Sequence, residues 1–187
     1  MAPAPVKYGK CYLGIDPGAN GGMASIITQA ARTVDGRGVN GIYAAKELRT
    51  LSFSNRSEQD VWLTIAHLYP LSPRVVIERQ VPRPTFYQNP RTGKVTNSIL
   101  KSTCELFGHY QFLRGLLTAG DITFREVLPQ EWQKHFGVAR SKGMSDNQWK
   151  NVLKALALER YPEEHITLAT ADAVLLAQYA KETDDEA

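Results

Sequence analysis

Residues 10–28 read KCYLGIDPGANGGMASIIT, and this stretch decides the fold. The apolar run KCYLGI (10–15) ends at the turn residues DPG (16–18), which predicts a buried strand that stops at a turn. Two glycines then lead into MASIIT (23–28), a second predicted strand. Two strands joined by a short glycine-rich loop form a β-hairpin. We therefore expect Asp16 to lie at the end of the first strand, beside that loop.

The rest of the chain alternates between strand and helix patterns. A weaker third strand at 42–51 completes an antiparallel meander, and RVVIE (74–78) is typical of a strand buried on both faces. The remaining predicted elements are a helix capped by Ser54 or Ser57 and stopped by Pro70, a loop at 81–96, a helix at 98–119, a strand at 122–127, a short helix at 129–136, a basic loop at 137–143, a helix from Ser145 or Asp146 to Arg160, and a last helix at 167–181. This order predicts one α/β domain over residues 1–181, with a mixed five-stranded sheet flanked by helices, followed by a disordered acidic tail at 182–187.

Length, charge and cysteine content narrow the class of protein. A chain of 187 residues suits one domain. The net charge is +3, but four acids fall in the last six residues, so residues 1–181 alone carry +7, which favours a polyanionic partner. Cys11 and Cys104 are too few and too far apart for a disulfide framework. Without an apolar run of membrane-spanning length or a secretory signal, we expect no membrane association and a cytoplasmic location, or an organelle if a transit peptide has been removed.

Three acids fall where the pattern predicts burial. Asp16 ends the first strand, Glu78 ends RVVIE, and Asp172 lies inside the apolar segment ATADAVLLA (169–177). Burying an unpaired carboxylate is costly. If the first and fourth strands are neighbours, Asp16 and Glu78 meet at one sheet edge, and a last helix packed there brings Asp172 between them. Such oxygen ligands suit Mg²⁺ or Mn²⁺, and two ions about 3.5–4 Å apart can hydrolyse a phosphodiester.

Each acid also has a simpler interpretation. Asp16 belongs to common turn chemistry, Glu78 can form a surface ion pair with Arg79, and Asp172 can sit on a polar helix stripe. Each alone favours that simpler interpretation, whereas the three in strand–strand–helix order favour a site.

Several blocks of the chain resemble the RuvC family of Holliday junction resolvases. They are LGIDPGANGGMASI, VVIERQ, FGHYQFLRGLL, VLPQEWQKHFGV, ERYPE and ATADAVLLAQYA, and they span roughly residues 10–181. The resemblance implies an RNase H-like fold and a homodimer that resolves four-way DNA junctions by paired symmetric cuts. It also implies that Asp16, Glu78 and Asp172 bind two Mg²⁺ ions, with Mn²⁺ as a substitute, and that cleavage leaves a 5′-phosphate and a 3′-hydroxyl.

The chain departs from the family pattern one helical turn before Asp172. Many RuvC-like enzymes have an acid or a histidine there, whereas this chain has Ala169. Three explanations stay open. Three ligands and water suffice, His165 supplies the fourth ligand, or Ala169 replaces an acid and makes the chain inactive.

Two basic stretches flank the predicted site. Residues 74–101 carry a net +5 and residues 134–154 a net +4. Phosphate contacts supply much of the affinity for DNA, and exposed aromatic residues can stack on unpaired bases. The predicted DNA-binding residues are Arg79, Arg83, Phe86, Tyr87, Arg91, Lys94, Lys101, Arg140, Lys142 and Lys150.

Three rival functions are compatible with this pattern. One is an RNase H-like nuclease acting on RNA–DNA hybrids or flaps. Another is a junction-binding protein that does not cut, which Ala169 favours. The third is an actin-like ATPase, but that family normally needs two such domains, and 187 residues leave no room for the second.

Overall fold

The computed structural model describes residues 10–28, 47–81, 85–88, 92–93, 95–98 and 101–185. Within them the strands are β1 (Cys11–Asp16), β2 (Gly22–Ile27), β3 (Glu47–Ser52), β4 (Arg74–Glu78), β5 (Thr85–Gln88), β6 (Val95–Ser98) and β7 (Phe124–Val127). Five strands form one sheet in the order β3-β2-β1-β4-β7. β1–β2 and β2–β3 pair antiparallel, whereas β1–β4 and β4–β7 pair parallel. The predicted mixed five-stranded sheet is confirmed.

Helices cover both faces of this sheet. They are α1 (Glu58–Leu68), α2 (Lys101–Ala119), α3 (Pro129–His135), α4 (Asp146–Arg160) and α5 (Ala171–Asp185). Ser57 and Ser145 cap α1 and α4, each within a capping box, which resolves the two alternatives at each start. No helix within the described ranges is both long and apolar enough to cross a bilayer.

Alternating side chains of β1 divide the core into two layers. Leu13 and Ile15 pack with α1 and α2, and Tyr12 packs with α3, α4 and α5. Gly14 also faces α5, where a Cβ atom would lie 2.2 Å from the Ala173 carbonyl oxygen and from the Ala177 amide nitrogen. The glycine therefore lets the α5 backbone rest directly on β1, which fixes the position of the start of α5.

Several predicted boundaries were wrong. The segment 81–96 is not wholly a loop, because β5 and β6 pair as an antiparallel hairpin within and just beyond it. The α2 helix begins at Lys101 rather than at residue 98, where β6 ends. The predicted third strand is described only from residue 47; its residues 42–46 lie outside the described ranges.

The chain end differs from the predicted disordered tail. α5 continues through Asp185, so the predicted boundary at residue 181 falls inside a helix. Asp184 accepts hydrogen bonds from Lys10 and from the Tyr12 hydroxyl and forms an ion pair with Arg74. Through these contacts the acidic end of the chain is bonded to residues of β1 and β4. Composition alone does not predict this. Residues 186–187 lie outside the described ranges.

Candidate active site

The topology brings the three predicted acids to one end of the sheet. β1 and β4 run parallel with Ile15 opposite Ile77, so Asp16 and Glu78, the next residues, end neighbouring strands. Both lie on the face that packs against α5, because they alternate with Ile15 and Ile77, which face the other layer. Asp172 is the second residue of α5 and directly precedes Ala173, whose backbone rests on Gly14.

The three carboxylates line one open cleft of about 520 Å³. Its walls come from the β1–β2 loop, the first half of α2, α4 and the start of α5. Asp16 is 8% exposed, and Glu78 and Asp172 are half-buried. The other lining residues are Pro17, Gly18, Ala19, Asn20, Gly21, Gln80, Ser102, Glu105, Leu106, His109 and Lys150.

Burial raises the pKa of all three acids, and repulsion between carboxylates adds to the rise at Asp16 and Glu78. Desolvation, followed by the charges of Glu78 and Asp172, raises the pKa of Asp16 well above its ordinary value. Desolvation and the charge of Asp172 raise the pKa of Glu78 to about 7, and desolvation raises that of Asp172 to about 6. Clusters of titratable groups with shifted pKa values are common at functional sites, so the electrostatics support a functional site in this cleft.

Lys150 is the cation that opposes this charge. It lines the cleft from α4, and its positive charge lowers the pKa of each of the three acids. Lys150 is predicted from the sequence to contact DNA, and in the structure it lines the same cleft as the carboxylates. Its position supplies partial charge compensation for the cluster.

The donor set fits a hard divalent cation in its chemistry. The side chains offer carboxylate oxygens, and Asp172 Oδ1 is buried without a hydrogen-bond partner among the described residues. An unpartnered buried oxygen is costly unless something positive meets it. Among the described residues, however, no group of three acidic, histidine or cysteine side chains is already placed so that it could hold a metal ion.

Two neighbours of Glu78 were not anticipated as site residues. Trp132 Nε1 donates to Glu78 Oε2 over 2.9 Å, and Gln80 Nε2 donates to Glu78 Oε1 over 3.0 Å. Gln80 occurs in the VVIERQ block and Trp132 in the VLPQEWQKHFGV block. The spacing in sequence between Trp132 and Glu78 carries no signal of contact, since α3 reaches Glu78 only through the tertiary fold.

His109 is a third residue that the pattern did not single out. The Gly18 backbone N–H donates to His109 Nδ1 over 2.9 Å, which ties α2 to the turn that follows Asp16. The ring packs edge-on against Phe53 at 4.8 Å between centroids and stacks on Phe112 at 5.9 Å. Burial lowers the pKa of His109, which favours the neutral ring that this bond requires.

Replacing His109 by phenylalanine is expected to release the Gly18 amide. The ring stays, but the acceptor is lost, so unfolding free energy falls by about 1–2 kcal/mol and amide exchange at Gly18 accelerates. His109→Asn keeps an acceptor near the Nδ1 position and should preserve protection at Gly18 despite losing ring packing. Equal exchange in wild type and His109→Phe would show that the bond does not hold the turn.

The residues predicted to contact DNA differ in their exposure and in whether they already form ion pairs within the protein. Arg79 and Lys142 are exposed, and Lys101 pairs with Glu105 at 3.4 Å. Arg140 donates to the Met144 carbonyl and pairs with Asp146, so part of its bonding capacity is used within the loop. The β5–β6 hairpin carries Phe86 and Tyr87, whose side chains the structure does not describe, and Arg83, Arg91 and Lys94 lie outside the described residues.

His165 and Ala169 lie before α5. His165 is exposed and is not among the residues that line the cleft, so the structure gives no support for it as a fourth ligand. The Ala169 carbonyl oxygen lies against Gly22, at 3.0 Å from where a Cβ atom would be. Because Gly22 pairs with Asp16 in the β1–β2 ladder, residue 169 stands close to the end of β1.

A larger cavity, about 730 Å³, lies at the opposite end of the sheet. Arg74 and Phe124, the first residues of β4 and β7, line it. Its two acids are Asp121 and Asp184, and Asp184 is neutralised by Arg74 and Lys10. Arg74 and Arg125 also line this cavity, so its lining carries as many cations as acids, unlike that of the smaller cleft.

Comparison with solved structures gives the class of fold. The chain is similar to RuvC of Thermus thermophilus in complex with a Holliday junction substrate, at a TM-score of 0.50 and 11% identity, covering 92% of this chain and 96% of that one. The likeness, together with the sheet order, defines an RNase H-like fold. Thermus thermophilus RuvC in a further structure (TM-score 0.43, 13% identity, 93% and 96% covered) and a Fowlpox virus resolvase with Holliday junction DNA (TM-score 0.43, 13% identity, 91% and 98% covered) are also similar. No protein-family model and no curated protein sequence matches the chain.

Proposed function

We propose that this protein is a metal-dependent endonuclease that resolves four-way DNA junctions by paired symmetric cuts. The observation that carries the proposal is the convergence of Asp16, Glu78 and Asp172 in one cleft of an RNase H-like fold. The fold of the T. thermophilus RuvC structure, which is bound to a Holliday junction substrate, agrees with this assignment. Arg79 and Lys101 are exposed and adjoin the cleft-lining residues Glu78 and Ser102, and such cations suit a DNA backbone.

The roles of the chain's own residues follow from their positions. Asp16 and Asp172 would hold Mg²⁺, or Mn²⁺ in its place, and Glu78 would bridge or orient the ions. Two such ions supply Lewis-acid charge neutralisation and an activated water when bound. Lys150 offsets the negative charge of the cluster and offers its ammonium group to a phosphate entering the cleft.

A direct test is cleavage of a synthetic four-way junction with Mg²⁺, with Mn²⁺ and with chelator. Matched duplex, flap and RNA–DNA hybrid substrates accompany it. We expect metal-dependent, symmetric nicks in the junction alone. If the protein cuts the RNA–DNA hybrid or the flap and leaves the four-way junction uncut, it is instead an RNase H-like nuclease for those substrates.

A second candidate is a junction-binding protein that does not cut. Two observations favour it: Ala169 stands where related enzymes carry a ligand, and the described side chains form no closed metal-binding group. Tight junction binding without cleavage in either metal would establish this candidate.

Restoring an acid at residue 169 separates the two candidates. Ala169→Asp is expected to raise junction cleavage at limiting Mg²⁺ by about tenfold or more, because an added carboxylate near β1 strengthens ion binding. Ala169→Asn, of the same size but without charge, is the control. If wild type cleaves the junction and Ala169→Asp does not change the rate, three carboxylates are enough to bind the metal ions.

Symmetric cutting also requires a dimer, and α2 supplies a candidate surface. Tyr110, Leu113 and Leu117 bury one face, whereas Gly108 and Gly115, seven residues apart, are exposed with open space around them. A helix-interior glycine costs about 1 kcal/mol relative to alanine. Close approach of a second α2 would compensate this cost, and a twofold dimer has the symmetry of a four-way junction.

Bulky residues at these glycines distinguish a dimer from a monomer. Gly108→Leu with Gly115→Leu should halve the mass measured by sedimentation, while Asn151→Leu, an exposed helix site on α4, should leave it unchanged. If the protein is a monomer, the double variant instead becomes more stable, because leucine is the better helix former.

A further inference from the structure

Both oxygens of the Glu78 carboxylate accept a hydrogen bond from a neighbouring side chain. Trp132 Nε1 reaches Oε2 at 2.9 Å, and Gln80 Nε2 reaches Oε1 at 3.0 Å. An ionised carboxylate has about four lone-pair sites. One donor on each oxygen therefore leaves a lone pair on each for another partner, and the orientation of the group is set.

The two donors differ in rigidity. Trp132 is 0% exposed, and its ring packs edge-on against Phe136 at 6.4 Å between centroids. Gln80 is half-buried and lines the cleft itself. The indole is thus locked by the core on the α5 side of the sheet, whereas the amide can adjust to what occupies the cleft.

The local sequence explains how the indole reaches the strand end. Pro129 begins α3 and is separated from β7 only by Leu128, and β7 pairs with β4 up to the Glu78–Val127 register. Trp132, one turn into α3, then returns over the end of β4. Its N–H is a single donor that must find an acceptor once buried, and here that acceptor is the carboxylate.

We propose that Trp132 is a positioning residue that holds the Glu78 carboxylate in the orientation needed to meet a divalent cation, with Gln80 as its adjustable counterpart. The proposal rests on the proposed function for its catalytic consequence. Its structural part, a fixed indole–carboxylate bond, stands on the two distances and on the burial of the ring. Outer-sphere donors of this kind commonly change metal affinity or activity by 10–100-fold.

A purely structural role for Trp132 predicts something else. In that case the indole fills the core, and its N–H bonds to the nearest acceptor without consequence for the cleft. Trp132→Phe keeps an aromatic ring and removes the donor. Trp149→Phe is the matched control, since Trp149 is 9% exposed in the same core layer and donates to no site carboxylate among the described residues.

The first measurement needs no activity. Indole N–H resonances of ¹⁵N-labelled, metal-free protein are recorded by NMR, and the signal lost in Trp132→Phe identifies Trp132. Glu78→Gln should shift that resonance strongly while leaving the Trp149 resonance in place, and Mg²⁺ should shift it in wild type only. If the Trp132 resonance keeps its position in Glu78→Gln, the proposal is overturned.

The second measurement is junction cleavage as a function of Mg²⁺ concentration. Trp132→Phe should raise the Mg²⁺ concentration for half-maximal rate by about tenfold or more, with KM for the junction within twofold. Gln80→Met, at a partly exposed position that does not endanger folding, should act in the same direction. Wild-type Mg²⁺ dependence in Trp132→Phe overturns the positioning role of Trp132, and wild-type dependence in Gln80→Met overturns that of Gln80.

Failure of the proposed function is separable from failure of this inference. If wild type cuts no substrate, the function is wrong, and the NMR comparison of Glu78→Gln alone decides whether Trp132 holds the carboxylate. If wild type cuts the junction and Trp132→Phe behaves like Trp149→Phe, the function stands and the positioning role is wrong.

Discussion

Replacing Glu78 by glutamine is expected to lower junction cleavage by at least about a thousandfold, with junction affinity changed by less than about threefold. The carboxylate ends β4 on the same face as Asp16 and is accompanied by Asp172 in the cleft. Charge stabilisation by bound metal lowers the activation barrier by several kcal/mol, and a change of about 4 kcal/mol in the barrier is a thousandfold change in rate. Single-turnover cleavage and a gel-shift titration measure the two quantities.

The control for this substitution is another acid of the same cleft. Glu105 lies on α2 with its side chain 63% exposed and paired to Lys101. Glu105→Gln should cleave within about twofold of wild type, because an exposed surface pair contributes little. Equal cutting by Glu78→Gln and wild type would overturn the assignment of the site.

The second large effect is on stability rather than on rate. Asp172→Asn is expected to stabilise the metal-free protein by about 1–3 kcal/mol at pH 8 and to have little effect near pH 4. Burial raises the pKa of Asp172 to about 6 from 3.8, and within the part of the chain that the structure describes Asp172 Oδ1 has no hydrogen-bond partner that the amide would lose. Urea unfolding with chelator, at the two pH values, measures the difference.

The sign follows from proton binding. A carboxyl pKa that is higher in the folded state means that the folded protein binds more protons than the unfolded chain between pH 4 and 6. Its stability therefore falls as pH rises through that window and stays low above it. Removing the ionisable group removes this loss, and so does binding of a divalent cation by wild type.

Asp60 provides the opposite case within the same chain. It accepts hydrogen bonds from the Ser57 backbone and hydroxyl in the α1 capping box, and those bonds lower its pKa. Asp60→Asn should therefore destabilise the protein at pH 8, where Asp172→Asn stabilises it. Destabilisation by both variants at pH 8 would contradict the electrostatic account of the cleft.

The elements that local chemistry dictates could be predicted from sequence. The apolar run before Asp16, the RVVIE strand and the caps at Ser57 and Ser145 depend on residues a few positions apart, so these elements followed from pattern alone. The acids at the ends of β1 and β4 and at the start of α5 were recognisable because burial of a charge is unusual in such apolar surroundings.

Only the tertiary structure decided which distant groups meet. The β5–β6 hairpin lacks a strong apolar alternation, so its pairing is invisible locally. The bond from Trp132 to Glu78 spans 54 residues, that from Gly18 to His109 spans 91, and Lys150 reaches the same cleft from α4. Hydrogen bonds and charges act over a few ångströms in space whatever their separation along the chain, and the packing of α2, α3, α4 and α5 on the sheet sets those distances. Sequence alone thus determined the fold class and the acids, and the fold determined what surrounds them.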